Sequence, residues 1–309
     1  MKLGFLTACL PARSLAEIVR WAAEQGFESL EVAAWPRGST REGTATHLDV
    51  ASFDAGAAEQ VRALLVAHGL ELSSIAYYDN NLDPDATARE AVSRHVRRCI
   101  DAAALLSCPT VGTFIGRDPS RSVSENLAAA ERVFRPLVDY AGRRGVKLVI
   151  ENCVMGSWHP DSYPGNLAYS PELWEWMFDL GLYLNYDPSH LVWLGIDPVK
   201  VIRPYIERIP HTQAKDLEQF PDLRNRYGFF GKARTSGRPG DMGDMGWWRY
   251  RVPGLGQIDW RRLIDVLYGV GYDGVVSVEH EDPVWNGTED RIKTGLRIAY
   301  QTLRPLIVA

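Results

Sequence analysis

Short apolar runs alternate with stretches in which apolar residues recur every three or four positions, and the alternation continues from one end of the chain to the other. The first pattern predicts strands buried on both faces, the second amphipathic helices. Lys2–Leu6 reads as a strand. Ser14 then caps a helix to Gln25 in which Leu15, Ile18, Val19 and Ala22 share one face before Gly26 stops it. Glu28–Val32 and Leu70–Ala76 read as the second and third strands, with a helix over Asp54–His68 between them. A long helix over Pro84–Ser107 leads to a strand at Pro109–Phe114, and a helix over Ser122–Arg144 leads to one at Val146–Glu151. Ser170-Pro171 opens the next helix as cap and first residue. Leu182–Tyr186 is the sixth strand, a short helix falls near Asp197–Arg203, and Arg208–Ala214 is the seventh strand. A helix over Asp259–Val270 precedes the eighth strand, Gly274–Glu279, and a last helix covers about Glu289–Leu303.

Eight strands, each followed by a helix, predict a single α/β domain over 1–309, a (β/α)₈ TIM barrel. An open doubly wound sheet would carry fewer strands and a Gly-rich turn after the first. Here that turn is Thr7-Ala8-Cys9-Leu10-Pro11-Ala12, with no glycine. Two connections are long, one after the fifth strand and one after the seventh. The first, Asn152–Tyr169, holds Trp158, His159, Tyr163 and Asn166. The second, Lys215–Ile258, is rich in glycine and contains Trp247-Trp248-Arg249-Tyr250-Arg251. Both follow strands and so lie over the mouth where barrel active sites are built, which makes 216–258 a lid-like insertion. The same aromatic and arginine content would also suit a homo-oligomer contact.

Charge and composition narrow the function classes. Thirty-four Lys and Arg against 39 Asp and Glu give a net charge of -5, with no basic footprint for nucleic acid. No apolar run is long enough for a membrane span, and the N-terminus enters a strand without a signal-peptide pattern. The four cysteines, Cys9, Cys99, Cys108 and Cys153, form no C-x-x-C pair and read as reduced thiols of a cytoplasmic protein. Ten tryptophans, several beside Gly and Pro, suggest apolar walls for a pocket.

The chemistry gathers at strand ends. Leu184-Asn185-Tyr186-Asp187-Pro188-Ser189-His190 runs a strand into an acid, a proline turn and a histidine three residues on. Asp187 and His190 are both ligand types for a divalent cation, although Asp-Pro-Ser is also ordinary turn chemistry. The fifth strand ends in Glu151 and the eighth in Glu279. In the seventh, an inward Gln213 would place His211 one layer deeper and Lys215 at the rim. Any one of these alone reads as a solvated strand end. Four on successive strands read differently, because crowded carboxylates repel unless a dication or raised pKa values relieve them. Oxygen-rich ligation points to one divalent ion, Mn²⁺ or Mg²⁺ ahead of Co²⁺ or Zn²⁺.

Five motifs occur in order: Glu151-Asn152, Asp187-Pro188-Ser189-His190, Gln213-Ala214-Lys215-Asp216, Gly254-x-Gly256-x-Ile258-Asp259-Trp260 and Val278-Glu279-His280-Glu281-Asp282. Together they resemble the sugar isomerase and epimerase branch of the xylose isomerase-like barrels, which includes ketose 3-epimerases, hydroxypyruvate isomerase and inosose dehydratase. The resemblance implies that Glu151, Asp187, Gln213 and Glu279 bind one metal ion. Gln213 stands where most of the family has His, a departure that hydroxypyruvate isomerase shares. It also implies that His190 contacts substrate oxygen, with metal ligation as the lesser option. Glu151 and Glu279 would then exchange a proton with a sugar carbon from opposite faces, through an enediolate. The same enediolate can expel a leaving group, so lyase or dehydratase chemistry on a keto sugar is the alternative. His190 and Lys215 would neutralise the developing oxyanion or move hydroxyl protons, or Lys215 would only pair with Asp216 or a nearby carboxylate.

Trp35, Tyr77, Phe114 and Trp158 are candidate walls for a small-molecule sugar substrate, and Asn80, His159 and Arg251 candidate partners for its hydroxyls. His47, His68 and His95 read as incidental, and Glu31 as a structural hydrogen-bond acceptor. An endonuclease IV-like DNA repair enzyme would need histidines at the ends of the third and fourth strands. Those ends here are Ala76-Tyr77-Tyr78 and Thr113-Phe114. A non-catalytic barrel would have no use for the full set of ligand types.

Overall fold

The computed structural model describes residues 1–39, 44–159, 164–231 and 246–308. Eight parallel strands close into a barrel: β1 (Lys2–Leu6), β2 (Ser29–Ala33), β3 (Glu71–Ala76), β4 (Thr110–Thr113), β5 (Lys147–Glu151), β6 (Tyr183–Tyr186), β7 (His211–Ala214) and β10 (Val275–Val278). β10 pairs with β7 on one side and β1 on the other, which closes the ring. The remaining two strands, β8 (Asp216–Gln219) and β9 (Trp248–Arg251), form a separate antiparallel pair inserted after β7. This is the expected (β/α)₈ architecture.

Local chemistry sets the element ends. The first long helix, α1 (Leu15–Gln25), opens on a capping box in which Ser14 N–H donates to Glu17 at 2.8 Å and Glu17 N–H to Ser14 Oγ at 3.4 Å. It stops at Gly26, whose φ of +87° suits glycine. A Cβ there would lie 2.5 Å from the Tyr300 hydroxyl. Capping by Asp54, Asp85 and Ser122 likewise starts α2 (Ala55–Ala67), α3 (Ala86–Leu106) and α4 (Val123–Gly142). Ser170 precedes α5 (Pro171–Asp179) with proline at its start, but its side chain makes no capping bond. The expected short helix near 197–203 falls at α7 (Ile202–Tyr205). Both α9 (Trp260–Gly269) and α10 (Glu289–Leu303) stand where expected.

Two helices were not anticipated. The first is α6 (Pro188–Trp193), which follows β6 directly, and the second is α8 (Pro221–Tyr227), which follows β8. Of the expected lid at 216–258, residues 232–245 lie outside the described ones, as does Tyr163 of the other long loop. What is described of the insertion is anchored. Asp216 accepts from the backbone N–H groups of Leu217, Gly254 and Ile258 at 2.8, 3.0 and 3.0 Å, and from the Trp260 indole at 2.8 Å. A Cβ at Gly256 would come within 2.1 Å of the same carboxylate, so the Gly254–Trp260 motif is the chain wrapping around Asp216. Arg251 ties the pair to Glu218 at 2.6 Å and to Asp282 at 2.9 Å. A small apolar cluster of Val154, Trp193, Leu217, Trp247, Trp248 and Tyr250 lies beneath it, with Trp193 and Trp248 stacked at 5.0 Å.

The main core fills the shell between barrel and helices, as where Phe5 meets Trp21 at 5.8 Å and Phe27 at 4.9 Å. The barrel interior is different. Branched aliphatic layers are usual there. Here Glu31, Ser73, Tyr78, Asn185, His211, Gln213 and Ser277 are all buried and hydrogen-bonded to one another.

Candidate functional site

Glu151 ends β5 and is followed by Asn152, which ties two strand ends together. Its side-chain amide donates to Asp187 O at 2.8 Å, and its Oδ1 accepts from Asp187 N–H at 2.8 Å. Asp187 caps α6 with Oδ1, accepting from Ser189 N–H at 2.8 Å. The turn reading of Asp-Pro-Ser is thus realised on Oδ1. Oδ2 faces inward, 3.1 Å from both His190 Nε2 and Lys215 Nζ, yet in hydrogen-bonding alignment with neither. His190, one helical turn along, sets Nε2 3.1 Å from Glu151 and pairs Nδ1 with the Tyr250 hydroxyl at 2.9 Å.

Lys215 was expected at the rim. The structure buries it in the centre of the acids, 1% exposed, because it continues the inward alternation of His211 and Gln213. Its Nζ lies 2.7 Å from Glu279, 3.1 Å from Asp187, 3.1 Å from Glu281 and 4.0 Å from Glu151. It also sits 4.5 Å over the Tyr250 ring. Burial opposes the ammonium, but the four acids outweigh it and push Lys215 well above its ordinary value. Burial also opposes ionisation of Asp187. Lys215 and His190 outweigh it and hold that carboxyl well below the usual range. For Glu279, burial dominates and drives the carboxyl well up against the pull of Lys215, with Glu151 and Glu281 adding to the rise. Glu151 is raised as well, again chiefly by burial. The pocket thus sets acids of opposite tendency side by side, the pattern that suits paired acid and base work.

Three of these acids form a group that could hold a metal ion beside the Lys215 ammonium, which lies 2.7 to 4.0 Å from each of them. One carboxylate oxygen from each of Glu151, Asp187 and Glu279 lies within 4.8 Å of the others. Two of the buried side-chain oxygens that lack a hydrogen bond are Asp187 Oδ2 of this group and Gln213 Oε1 of β7. Gln213 turns its Nε2 to Glu31 at 3.3 and 3.4 Å, so its oxygen is the end left without a partner. Glu151, Cys153 and His190 also bring one ligand atom each within 4.8 Å of the others.

The opposite side of the mouth is aromatic. Trp35, Tyr78, Phe114 and Trp158 follow one another around β2 to β5, with ring centroids 6.1, 5.1 and 5.5 Å apart. Tyr77 packs its ring on Trp35 at 6.2 Å and on His95 of α3 at 4.3 Å, while Tyr78 enters the barrel and reaches Glu31 at 2.5 Å. The register between β2 and β3 shifts at Leu30/Glu31, which makes Ser73 an extra residue and sets Ser74, Ala76 and Tyr78 in step with Glu31. Arg251 pairs its guanidinium with Glu218 and Asp282. Asn80 is engaged by the backbone of Leu82 and Arg117. His159 is half-buried, at the edge of the described part of its loop. His211 lies one layer deeper, as expected, bonded to Asn185 and Ser73.

Four residues of the site escaped the sequence reading: Tyr78, Cys153, Tyr250 and Glu281. Two had a signal. Glu281 is two residues past Glu279, and Tyr250 shares the buried face of β9 with Trp248.

A family model described as xylose isomerase-like TIM barrel matches residues 19–302. The uncharacterized protein YfiH of Bacillus subtilis is 25% identical, over 98% of this chain and 99% of its own length. An inosose dehydratase of Clostridium tetani is 34% identical, but that match spans only 33% of this chain and 32% of the dehydratase. Among solved structures, the 3-keto-D-glucoside 4-epimerase YcjR of E. coli superposes with a TM-score of 0.69 at 16% identity, covering 99% of each chain, a likeness of fold. No helix among the described residues is long and apolar enough to cross a membrane. The extent of the family match, from the first helix to the last, makes this chain a member of the xylose isomerase-like TIM barrel family.

Proposed function

We propose that this protein is a divalent-metal-dependent sugar or keto-sugar isomerase or epimerase that works by removing a proton beside a carbonyl. The observation that carries the reading is the convergence of the Glu151, Asp187 and Glu279 oxygens within 4.8 Å of one another. Glu151, Asp187, Glu279 and Gln213 would hold the ion, Mn²⁺ before Mg²⁺, Co²⁺ or Zn²⁺ because the donors are oxygen. Bound there, the ion supplies a Lewis acid that polarises a carbonyl oxygen.

The chain's own groups do the rest. Glu279 and Glu151 stand on different strands around the pocket and act as base and acid on the two faces of the substrate. His190 bonds Glu151 and holds the proton that this carboxylate takes or gives. Tyr250 fixes the His190 ring from the other side. Lys215 places a cation where negative charge develops on the substrate oxygen. The aromatic run from Trp35 to Trp158 offers flat apolar faces for sugar C–H groups. The β8–β9 pair covers the site and excludes water.

A second reading, elimination of water from a keto sugar or cyclitol, draws on the partial likeness to inosose dehydratase. It also draws on Glu281, a further carboxylate on Lys215 beside the ring acids. One screen tests both. Protein stripped by chelation and reloaded with Mn²⁺ is incubated in D₂O with free ketoses, inososes and 3-keto-glycosides, and read by NMR and mass. Deuterium incorporation that requires Mn²⁺ supports isomerase or epimerase chemistry, and loss of water supports elimination. No exchange and no elimination, together with no metal by elemental analysis, overturns the proposal.

A further inference from the structure

We infer that Glu31, a buried acid that touches none of the ring carboxylates in the bonds described, is the residue that turns the Gln213 oxygen toward the metal position. The inference rests on reading the carboxylate ring as an ion site. Two donors converge on Glu31 besides Gln213: the Tyr78 hydroxyl at 2.5 Å and the Ser277 hydroxyl at 3.0 Å. Gln213 adds its amide, 3.3 and 3.4 Å from the two carboxylate oxygens.

Carboxylate oxygens accept, so each partner must donate. Tyr78 gives its only hydrogen to Glu31. Its oxygen must therefore accept the 2.7 Å bond from Asn185, which fixes the Asn185 NH₂ toward Tyr78. Asn185 Oδ1 is then left to accept from His211 Nδ1 at 2.8 Å, which sets the His211 tautomer as well. Gln213 follows the same logic. A flipped amide would press its oxygen against two carboxylate oxygens and would leave Nε2 without those acceptors. Nε2 is thus held on Glu31, with the Tyr78 hydroxyl a further acceptor at 3.4 Å, and Oε1 is left on the far side of the amide, buried and without a partner. Without such an anchor an amide can present either end, and an NH₂ facing a dication is repelled. Glu31 makes Gln213 a defined oxygen ligand. It is a positioning residue.

Mn²⁺ affinity, read by calorimetry or by the EPR signal of free Mn²⁺, tests this with four proteins: wild type, Glu31→Gln, Gln213→Ala and the double variant. Glu31→Gln gives position 31 its own NH₂, to which the Gln213 oxygen can turn. We expect about 10- to 100-fold weaker Mn²⁺ binding, the usual cost of losing a group that orients a ligand. We also expect no further loss when Glu31→Gln is added to Gln213→Ala, because the group it orients is already gone. Equal affinity in wild type and Glu31→Gln overturns the inference, and so does an undiminished loss in the Gln213→Ala background. A wild type that binds no Mn²⁺ brings down the ion-site reading itself. Should Glu31→Gln fail to fold, Glu31→Asp replaces it in the same cycle. It keeps an acceptor but draws it back, with a smaller loss expected where Gln213 is intact and none in the Gln213→Ala background.

Discussion

Glu31 and the ring of Glu151, Asp187 and Glu279 are all buried acids in one barrel, and they are compensated in opposite ways. Glu31 receives neutral donors, a phenol, a hydroxyl and an amide, which spread its charge through hydrogen bonds. The ring acids and Glu281 share one ammonium, Lys215. Burying an ionised carboxylate is costly unless it is paired and hydrogen-bonded. By that measure Glu31 is answered by hydrogen bonds alone, whereas the ring depends on the charges of Lys215 and His190. Acids held by charge are the ones whose balance a bound cation would change.

The largest effect should come from the ring. Glu279→Gln keeps the shape and removes the acid, and substrate C–H exchange with deuterated solvent should fall by about 10²- to 10⁴-fold. Exchange that persists would move the base to another residue and narrow the distance between the two regions. Lys215→Met comes next and tests the charge pairing directly. Removing the cation on Glu279 and Asp187 leaves buried acids without their partner, so urea unfolding of the metal-free protein should show a loss of about 3–5 kcal/mol. Mn²⁺ at a hundred times its Kd should return about 2.7 kcal/mol of that. A loss that Mn²⁺ leaves unchanged would mean that the ring needs only its lysine.

The contrast between the two regions also marks what a sequence discloses. Strand ends and caps follow from local rules, so Glu151, Asp187 and Glu279 could be aligned from alternation alone, and Ser14 and Gly26 from capping chemistry. Tyr78 could not. The extra residue at Ser73 changes which tyrosine faces inward, and register slips leave no mark in composition. Nor could the β8–β9 pair, because its strands are four residues each and separated by a long Gly-rich stretch that reads as loop. Lys215 fell between. Its inward alternation with His211 and Gln213 was legible, but an isolated lysine reads as exposed, since its burial depends on four acids from three other strands and their extensions arriving at the same point. Glu31 was legible as a structural acceptor, whereas its grip on Gln213 required the two side chains to be seen together.

The smallest effect should separate the two regions most cleanly. Ser277→Ala removes one of the donors to Glu31 and leaves Tyr78 and Gln213 in place. A hydrogen bond to a charged group contributes about 1.5–3 kcal/mol. With two donors remaining, the loss should fall at the lower end, about 1–2 kcal/mol in the urea midpoint at unchanged slope. Because Glu31 is answered by hydrogen bonds and not by charge, that loss should be the same with and without Mn²⁺. Ser277 makes no contact with the Gln213 amide in the bonds described, so Mn²⁺ affinity should also hold. A Ser277→Ala defect that Mn²⁺ repairs would mean that Glu31 belongs to the same charge system as the ring, and the distinction between them would fail.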